Sequence, residues 1–390
     1  MKKKVLRIIN RFNLGGPTYN AAYLTKYLED DYETLLVGGQ HDDSEESSMH
    51  ILNDLELSPT IIPEMQRAIN IKNDRIAYQK IQKIIKEFQP DIVHTHASKA
   101  GALGRRAAYN SGVKQIYHTF HGHVFHSYFG ILKTNFYKKV ERNLAKKSTK
   151  IIAISEIQKK ELSEIHNICP AEKIEVIPLG FDLRRFYNNS DLKRKSFRNS
   201  WKISEDEIAI GIIGRLVPIK NHRFFIDVIK EVLNKTNKKL RFFIIGDGEE
   251  KDNLIEYVKI KRIDYSTDEK PATVQFTSWI KDVDIANAGL DIICLCSKNE
   301  GTPVSLIEAQ SSLKPIVSTK VGGIDNIVIE NKSALLSKPG DLKSFVNNLN
   351  LLINDANLRE KLSISGNHIF DKYNMNRLVD DMTKFYYKLH

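Results

Sequence analysis

The sequence predicts an α/β protein built from two doubly wound, Rossmann-like halves. Three observations carry this. The 390 residues exceed what a single core of ordinary size needs and suit two domains. Short apolar runs alternate with longer amphipathic segments, the pattern of strand–helix–strand units around a parallel sheet. That alternation lapses once, where charge rises from Asp182 to about Ser204. The expected organisation is therefore residues 1–185, a linker over 186–204, a second domain over 205–372, and a C-terminal helix, 373–390, packing back toward the first domain.

In the first half, strands are expected at Val5–Ile9, Thr34–Val37, Thr60–Ile62, Ile92–His94, Gln115–Thr119, Lys150–Ile154 and Ile174–Ile177. Helical spacing marks Ala21–Leu28, Asn73–Phe88, Gly101–Ser111 and Phe136–Ala145. The second half offers strands at Ile208–Ile213, Arg241–Ile245, Val274–Phe276, Asp291–Leu295, Pro315–Ser318 and Ser333–Leu336. Asn221–Leu233, Glu249–Lys261, Val304–Ser312 and Asp341–Asp355 are its clearest helices. Ligands of open α/β sheets bind beyond the carboxyl ends of the strands, so two such domains facing each other predict a deep cleft lined by both.

Composition excludes several classes. With 41% hydrophobic and 27% charged residues the chain is globular rather than disordered. The apolar run after Met1 is too short for a signal peptide, and no stretch is long enough to span a membrane, so a cytoplasmic protein is expected. The cysteines, Cys169, Cys294 and Cys296, offer no second pair for a metal site and read as buried thiols. Net charge is +11, and Lys99–Lys160 alone holds 13 lysines and arginines against two acids, the whole excess. Such a stretch suits nucleic acid, an anionic membrane or a phosphorylated substrate, and equally a solvated face.

Three loops suit phosphates. The first strand runs into Asn13-Leu-Gly-Gly-Pro-Thr-Tyr-Asn20, where Gly15 and Gly16 let backbone approach an anion and Pro17 suits a first helical position. A tight turn explains that pair as well, and the Gly-x-Gly-x-x-Gly dinucleotide fingerprint is absent. The strand opening the second half ends in Gly214-Arg-Leu-Val-Pro-Ile-Lys-Asn221, placing Arg215 and Lys220 where two cations suit a diphosphate. The third is Ser297-Lys-Asn-Glu-Gly-Thr-Pro-Val-Ser-Leu-Ile-Glu308. Here Thr302 reads as an N-cap and Pro303 as the first helical residue, leaving the Val304 and Ser305 amides free for phosphate. Glu300 and Gly301 precede the helix and Glu308 lies on its second turn, so two carboxylates can meet sugar hydroxyls.

The Glu-x7-Glu element from Glu300 to Glu308, the upstream Gly-Arg-Leu-x4-Lys-Asn and the Gly15-Gly16 loop resemble the retaining glycosyltransferases of family 4, which have the GT-B fold. The likeness extends in order through Pro90-Asp-Ile-Val-His-Thr-His96, Ile154-Ser155, Val176-Ile-Pro-Leu-Gly-Phe-Asp182 and Ile245-Gly-Asp-Gly248. It implies that Glu308 binds the nucleotide ribose, Glu300 the donor sugar, and Arg215 and Lys220 the diphosphate, with Gly16 close by. His121, in His118-Thr-Phe-His-Gly-His123, corresponds to the family's histidine near the anomeric carbon. Base contacts fall between Trp279 and Val283. On the acceptor side the candidates are His94, His96, Ser98, Lys99 and His123.

Half of the twelve histidines fall between His94 and His126, and His94 and His96 would share one strand face. No carboxylate or cysteine between Asp91 and Glu141 completes a metal shell, so no metal and no resident cofactor is expected, the nucleotide sugar being a substrate. The implied reaction is retaining transfer from a nucleotide sugar, a UDP-sugar being commonest among similar enzymes, to a glycan or polyprenyl-diphosphate-linked acceptor of bacterial surface polysaccharide. The basic stretch would then meet an anionic membrane, with the enzyme peripheral on its inner face. A sugar-nucleotide epimerase of similar shape and a nucleic-acid-binding protein are the rivals; the paired glutamates speak against both.

Overall fold

The computed structural model describes the chain except residues 1, 14, 29–31, 42–46, 67, 123–129 and 389–390. Contacts divide it into two units, Met1–Phe181 with Tyr373–His390, and Asp182–Lys372.

The first unit holds seven parallel strands: β1 (Lys3–Arg11), β2 (Tyr32–Gly39), β3 (Thr60–Ile61), β4 (Ile92–His96), β5 (Gln115–Phe120), β6 (Lys150–Ala153) and β7 (Ile174–Val176). Their spatial order is β3-β2-β1-β4-β5-β6-β7. Side chains alternate across a strand, so β1 feeds two cores. Leu6 and Ile8 pack with Ile81 and Ile85 of helix Ile71–Phe88 and with Ala107 of helix Ser98–Asn110. Val5 points to the other face, where Ile92, Tyr117 and Ile152 meet Leu24 and the C-terminal helix Met375–Lys388 through Leu378, Met382, Phe385 and Tyr386. That helix is docked where the chain returns: the Phe181 amide donates to the Tyr373 carbonyl at 2.8 Å and the Met375 amide to the Phe181 carbonyl at 3.0 Å.

The second unit repeats the design with β8 (Ile208–Ile213), β9 (Leu240–Ile245), β10 (Tyr265–Ser266), β11 (Val274–Ser278), β12 (Ile292–Leu295), β13 (Ile316–Thr319) and β14 (Ala334–Ser337). The order is β10-β11-β9-β8-β12-β13-β14, parallel throughout. Phe225, Ile229 and Val232 of helix His222–Leu233 and Phe345, Leu349 and Leu352 of helix Leu342–Asn354 close one face.

The segment expected as a linker, 186–204, is instead structured within the second unit. Helix Ser190–Ser200 follows the short helix Arg184–Tyr187 and packs on helix Val283–Gly289. Its charges, which suggested solvent, pair with acids of the second unit: Lys193 reaches the buried Asp284 at 2.9 Å, and Arg194 and Arg198 hold the two oxygens of the half-buried Asp291 at 2.7 and 3.2 Å. Phe197 lies so close to Gly289 that a Cβ there would stand 2.2 Å from the ring.

Among the described residues no helix is long and apolar enough to cross a membrane.

Candidate active site

In the second sheet β8 lies between β9 and β12. The chain moves outward from β8 in opposite directions on its two sides, so the loops after β8 and β12 diverge at the carboxyl edge and open a crevice there. The loop after β8 carries Arg215 and Lys220 into helix His222–Leu233; that after β12 carries Glu300 into helix Val304–Ser311. Two bonds fix this second loop: the Lys298 amide donates to the Ile219 carbonyl at 2.8 Å, and the Thr319 hydroxyl to the Ser297 carbonyl at 2.7 Å.

Glu300 is the best-held side chain of the crevice. Its Oε1 accepts from the Ser297 hydroxyl and the Lys220 ammonium, each at 2.5 Å, so the expected diphosphate cation and the expected sugar carboxylate are paired. Its carbonyl accepts from the Gly323 amide at 2.9 Å. A Cβ at Gly322, whose φ is 51°, would lie 2.0 Å from the Glu300 carbonyl oxygen, and one at Gly323 would lie 1.8 Å from that of Gly301. Gly322 and Gly323 are thus site residues that sequence reasoning missed. Their signal was available, a glycine pair in the loop that follows a strand, as with Gly15-Gly16.

Arg215 is exposed, and its guanidinium has no hydrogen-bond partner among the described residues. Its loop is braced from β9: the Leu216 amide donates to the Asp247 carbonyl at 2.9 Å, and Asp247 is held by Lys251 at 2.8 Å. The helix after Glu300 starts one residue later than expected. Pro303 is the N-cap and Val304 the first helical residue, because Pro303 sits at ψ 103°, outside helical range. Thr302 therefore lies one position before the cap, while the Val304 and Ser305 amides still head the helix. Glu308, half-buried one turn on, has a carboxyl that accepts no hydrogen bond from the described residues; burial pushes that carboxyl up to about 8, with Arg185 pulling it down and Asp284 pushing it up. Trp279 follows β11, and Val283 opens the next helix.

The first sheet has its own reversal point between β1 and β4. A cavity of 300 Å³ lies there, lined by Asn10, Arg11, Asn13, Pro17, Ser98 and Lys99. Gly15 caps helix Gly16–Tyr27, so Pro17 is its second residue rather than its first, and the Thr18 hydroxyl closes the loop onto the Asn13 carbonyl at 2.8 Å. Ser98 opens its helix after Ala97, a non-glycine residue at φ 65°. Lys99 is committed to Asp74 and the Ala68 carbonyl, both at 2.5 Å.

His94 and His96 share one face of the first sheet, as their spacing implied, with His121 beside them, whereas His118 lies on the other face with Nδ1 2.8 Å from the Thr95 hydroxyl. His94 is fully buried with Nδ1 on the Tyr386 hydroxyl and Nε2 on the Thr119 hydroxyl, both at 2.7 Å. With both nitrogens engaged, it supports the fold instead of meeting an acceptor. His96 is also fully buried, and its Nδ1 lies 3.0 Å from Nε2 of His121. Burial pushes the His121 imidazole down to about 3, so the ring is neutral. His123 lies outside the described residues.

A family model for glycosyl transferases group 1 matches residues 193–368, and one for glycosyltransferase family 4 matches residues 14–185. The UDP-Gal:α-D-GlcNAc-diphosphoundecaprenol α-1,3-galactosyltransferase of Escherichia coli is 30% identical over 330 residues, 83% of this chain and 82% of that protein. The capsular polysaccharide biosynthesis glycosyltransferase CapM of Staphylococcus aureus is 24% identical over 328 residues, 84% of each. Among solved structures, Anabaena HepE in complex with UDP superposes over the full length of both chains with a TM-score of 0.79 at 18% identity. Sucrose-phosphate synthase of Thermosynechococcus elongatus does so with a TM-score of 0.80 at 16% identity, over 100% of this chain and 99% of that one. These likenesses establish a GT-B fold.

Proposed function

Since the chain belongs to the glycosyltransferases of family 4, we propose that it moves a sugar, with retention, from a UDP-sugar to a polyprenyl-diphosphate-linked glycan in bacterial surface-polysaccharide assembly. The observation that carries this reading is the crevice of the second sheet, where Arg215, the Lys220–Glu300 pair, the Val304 and Ser305 amides and Glu308 occupy the ends of neighbouring elements. Uridine and the lipid-linked acceptor are supported by the Escherichia coli relative, named for UDP-Gal and GlcNAc-diphosphoundecaprenol. Both named relatives are transferases, which disfavours the epimerase reading.

In the proposed step the bond from sugar C1 to the diphosphate oxygen breaks and one from C1 to the acceptor oxygen forms on the same face. The acceptor's proton passes to the departing phosphate. Negative charge grows on that phosphate, and preorganised cations and amides stabilise it most at the transition state. Arg215, Lys220 and the helix start supply them without a metal ion. Activity is accordingly expected to survive EDTA; a chelator-sensitive enzyme rescued by one divalent ion would reject that part of the reading. A thermal-shift panel of UDP-, GDP-, ADP- and dTDP-sugars tests the donor, because a ligand at 100 times its Kd stabilises by about 2.7 kcal/mol. Stabilisation by another nucleotide series alone would replace uridine.

The acceptor's lipid places the reaction at an anionic membrane surface, and helix Ile131–Lys147 supplies a docking face. By their spacing of three and four, Phe129, Leu132, Phe136, Val140 and Leu144 form one helical stripe, but the stripe divides: Phe129 is outside the described residues, Leu144 is buried, and Leu132 and Phe136 are 86% and 62% exposed. The helix spends its packing on its C-terminal half, where Glu141 meets the buried Arg105 at 2.7 Å and Leu144 and Ala145 are covered. Lys133, Lys139 and Lys146 of the same helix are exposed as well. Each cation near an anionic bilayer is worth about 1 kcal/mol before screening. Vesicle co-sedimentation should require anionic lipid, decline with salt, and weaken when Lys138, Lys139, Lys146 and Lys147 become Glu. Equal binding to neutral and anionic vesicles, or none to either, would refute electrostatic docking, and no binding to either would favour a soluble acceptor.

A further inference from the structure

We propose that Ser297 is a positioning residue for the donor sugar: its hydroxyl pins one carboxylate oxygen of Glu300, Oε1, and so reserves the other, Oε2, for a sugar hydroxyl. The inference rests on the reading of Glu300 as the carboxylate that meets the sugar, and it adds which of its oxygens does so and which residue decides.

The two oxygens of Glu300 stand in different surroundings. Oε1 accepts from the Ser297 hydroxyl and from the Lys220 ammonium. Oε2 has no hydrogen-bond partner among the described residues. Only 10% of the side chain is exposed, and Oε2 is not one of the partnerless atoms closed off from solvent, so that exposure includes it. A ligand entering from solvent therefore finds Oε2 open and Oε1 already holding two donors.

Of those two donors, Ser297 is the one that can fix the carboxylate while a donor is bound. Lys220 carries its ammonium on a flexible four-carbon stem, and the diphosphate calls on the same charge. Ser297 has a single side-chain torsion, is fully buried, and gives its hydroxyl proton to no other acceptor among the described residues. A hydroxyl on a carboxylate is a strong, charge-assisted bond. The backbone beneath it is fixed as well: the Ser297 carbonyl accepts from the buried Thr319 hydroxyl at 2.7 Å, and the Lys298 amide donates to the Ile219 carbonyl at 2.8 Å. At the other end of the loop the Glu300 carbonyl is held by the Gly323 amide at 2.9 Å. With its main chain and one carboxylate oxygen held, Glu300 keeps Oε2 toward solvent. Ser297, enclosed behind it, acts through Glu300, so its effect falls on the sugar and not on UDP.

Calorimetry tests this with two probes, UDP and whichever of UDP-glucose, UDP-galactose and UDP-N-acetylglucosamine binds the wild type most tightly. Ser297→Ala should raise the Kd of the UDP-sugar about tenfold, the effect of losing one hydrogen bond to a charged group, and that of UDP by less than about twofold. Added to Glu300→Ala, the same substitution should weaken sugar binding no further, because nothing is left to position. A crystal structure of the wild type with the UDP-sugar should keep Oε1 on the Ser297 hydroxyl and place Oε2 on a sugar hydroxyl. Equal losses for UDP and the UDP-sugar in Ser297→Ala, or a full additional loss in the double variant, would make Ser297 a structural residue and overturn the proposal. Oε1 turned to the sugar in the wild-type complex would overturn it even if Ser297→Ala does not fold. A Glu300→Ala variant that binds both probes as the wild type does would instead remove Glu300 from the sugar, the reading beneath, whatever holds its Oε1.

Discussion

Replacing Arg215 or Lys220 with Ala is expected to lower turnover by about 10²–10³-fold, the usual cost of removing one preorganised donor from a developing charge, while UDP binding weakens far less. The bond to sugar C1 breaks with charge accumulating on the diphosphate, so a cation there gains most at the transition state. The two residues should differ in kind. Arg215 has no competing partner among the described residues, and its loss removes a planar fork. Lys220 shares its ammonium with Glu300 at 2.5 Å, so its loss also leaves that carboxylate with only the Ser297 hydroxyl to orient it. Lys220→Ala should therefore combine a lower kcat with a raised donor KM, and Arg215→Ala should act almost wholly on kcat. Single-turnover rates set against calorimetric Kd values for UDP separate the two. Losses confined to KM in both variants would remove the pair from the leaving-group role.

The two sheets were legible because each central strand is a short apolar run between amphipathic helices, and burial on both faces leaves little room for another reading. What escaped was set by contacts between distant segments. Residues 186–204 read as a linker from their lapsed periodicity and rising charge, yet Lys193, Arg194 and Arg198 find Asp284 and Asp291 nearly a hundred positions away. Helix Val283–Gly289, rich in Ala, Asn and Gly, has little helical signal of its own and exists by packing on helix Ser190–Ser200. Strand Tyr265–Ser266 is too short to show alternation. In the site, the residue types and their place at strand ends were visible, whereas the ties among them were not: the Lys220–Glu300 pair, the fit of Gly322 and Gly323 under Glu300 and Gly301, and the engagement of His94 by Tyr386 on the C-terminal helix each depend on register between elements.

Glu308 carries the second large effect, and its sign follows from its surroundings. Burial and Asp284 push its carboxyl up to about 8 from an ordinary 4.5, against the pull of Arg185. A carboxyl raised on folding holds its proton more tightly folded than unfolded, so its contribution to stability is intact below the ordinary value and is lost as pH rises toward 8. Glu308→Gln, which cannot ionise, should match the wild type in urea unfolding at pH 4 and exceed it at pH 9 by on the order of 2–4 kcal/mol. Donor binding should run the other way. Ribose hydroxyls donate best to a carboxylate, so the nucleotide must draw Glu308 into its charged form, and Glu308→Ala should weaken binding by about 1–3 kcal/mol. Below pH 8 that coupling requires release of a proton on binding. Calorimetry of UDP at pH 7, in buffers of different ionisation enthalpy, should show apparent enthalpies that change with the buffer in the wild type and not in Glu308→Gln. Buffer-independent enthalpies in the wild type, with tight binding, would mean that Glu308 meets the nucleotide protonated or not at all, and the ribose would have to be held by another group in the crevice.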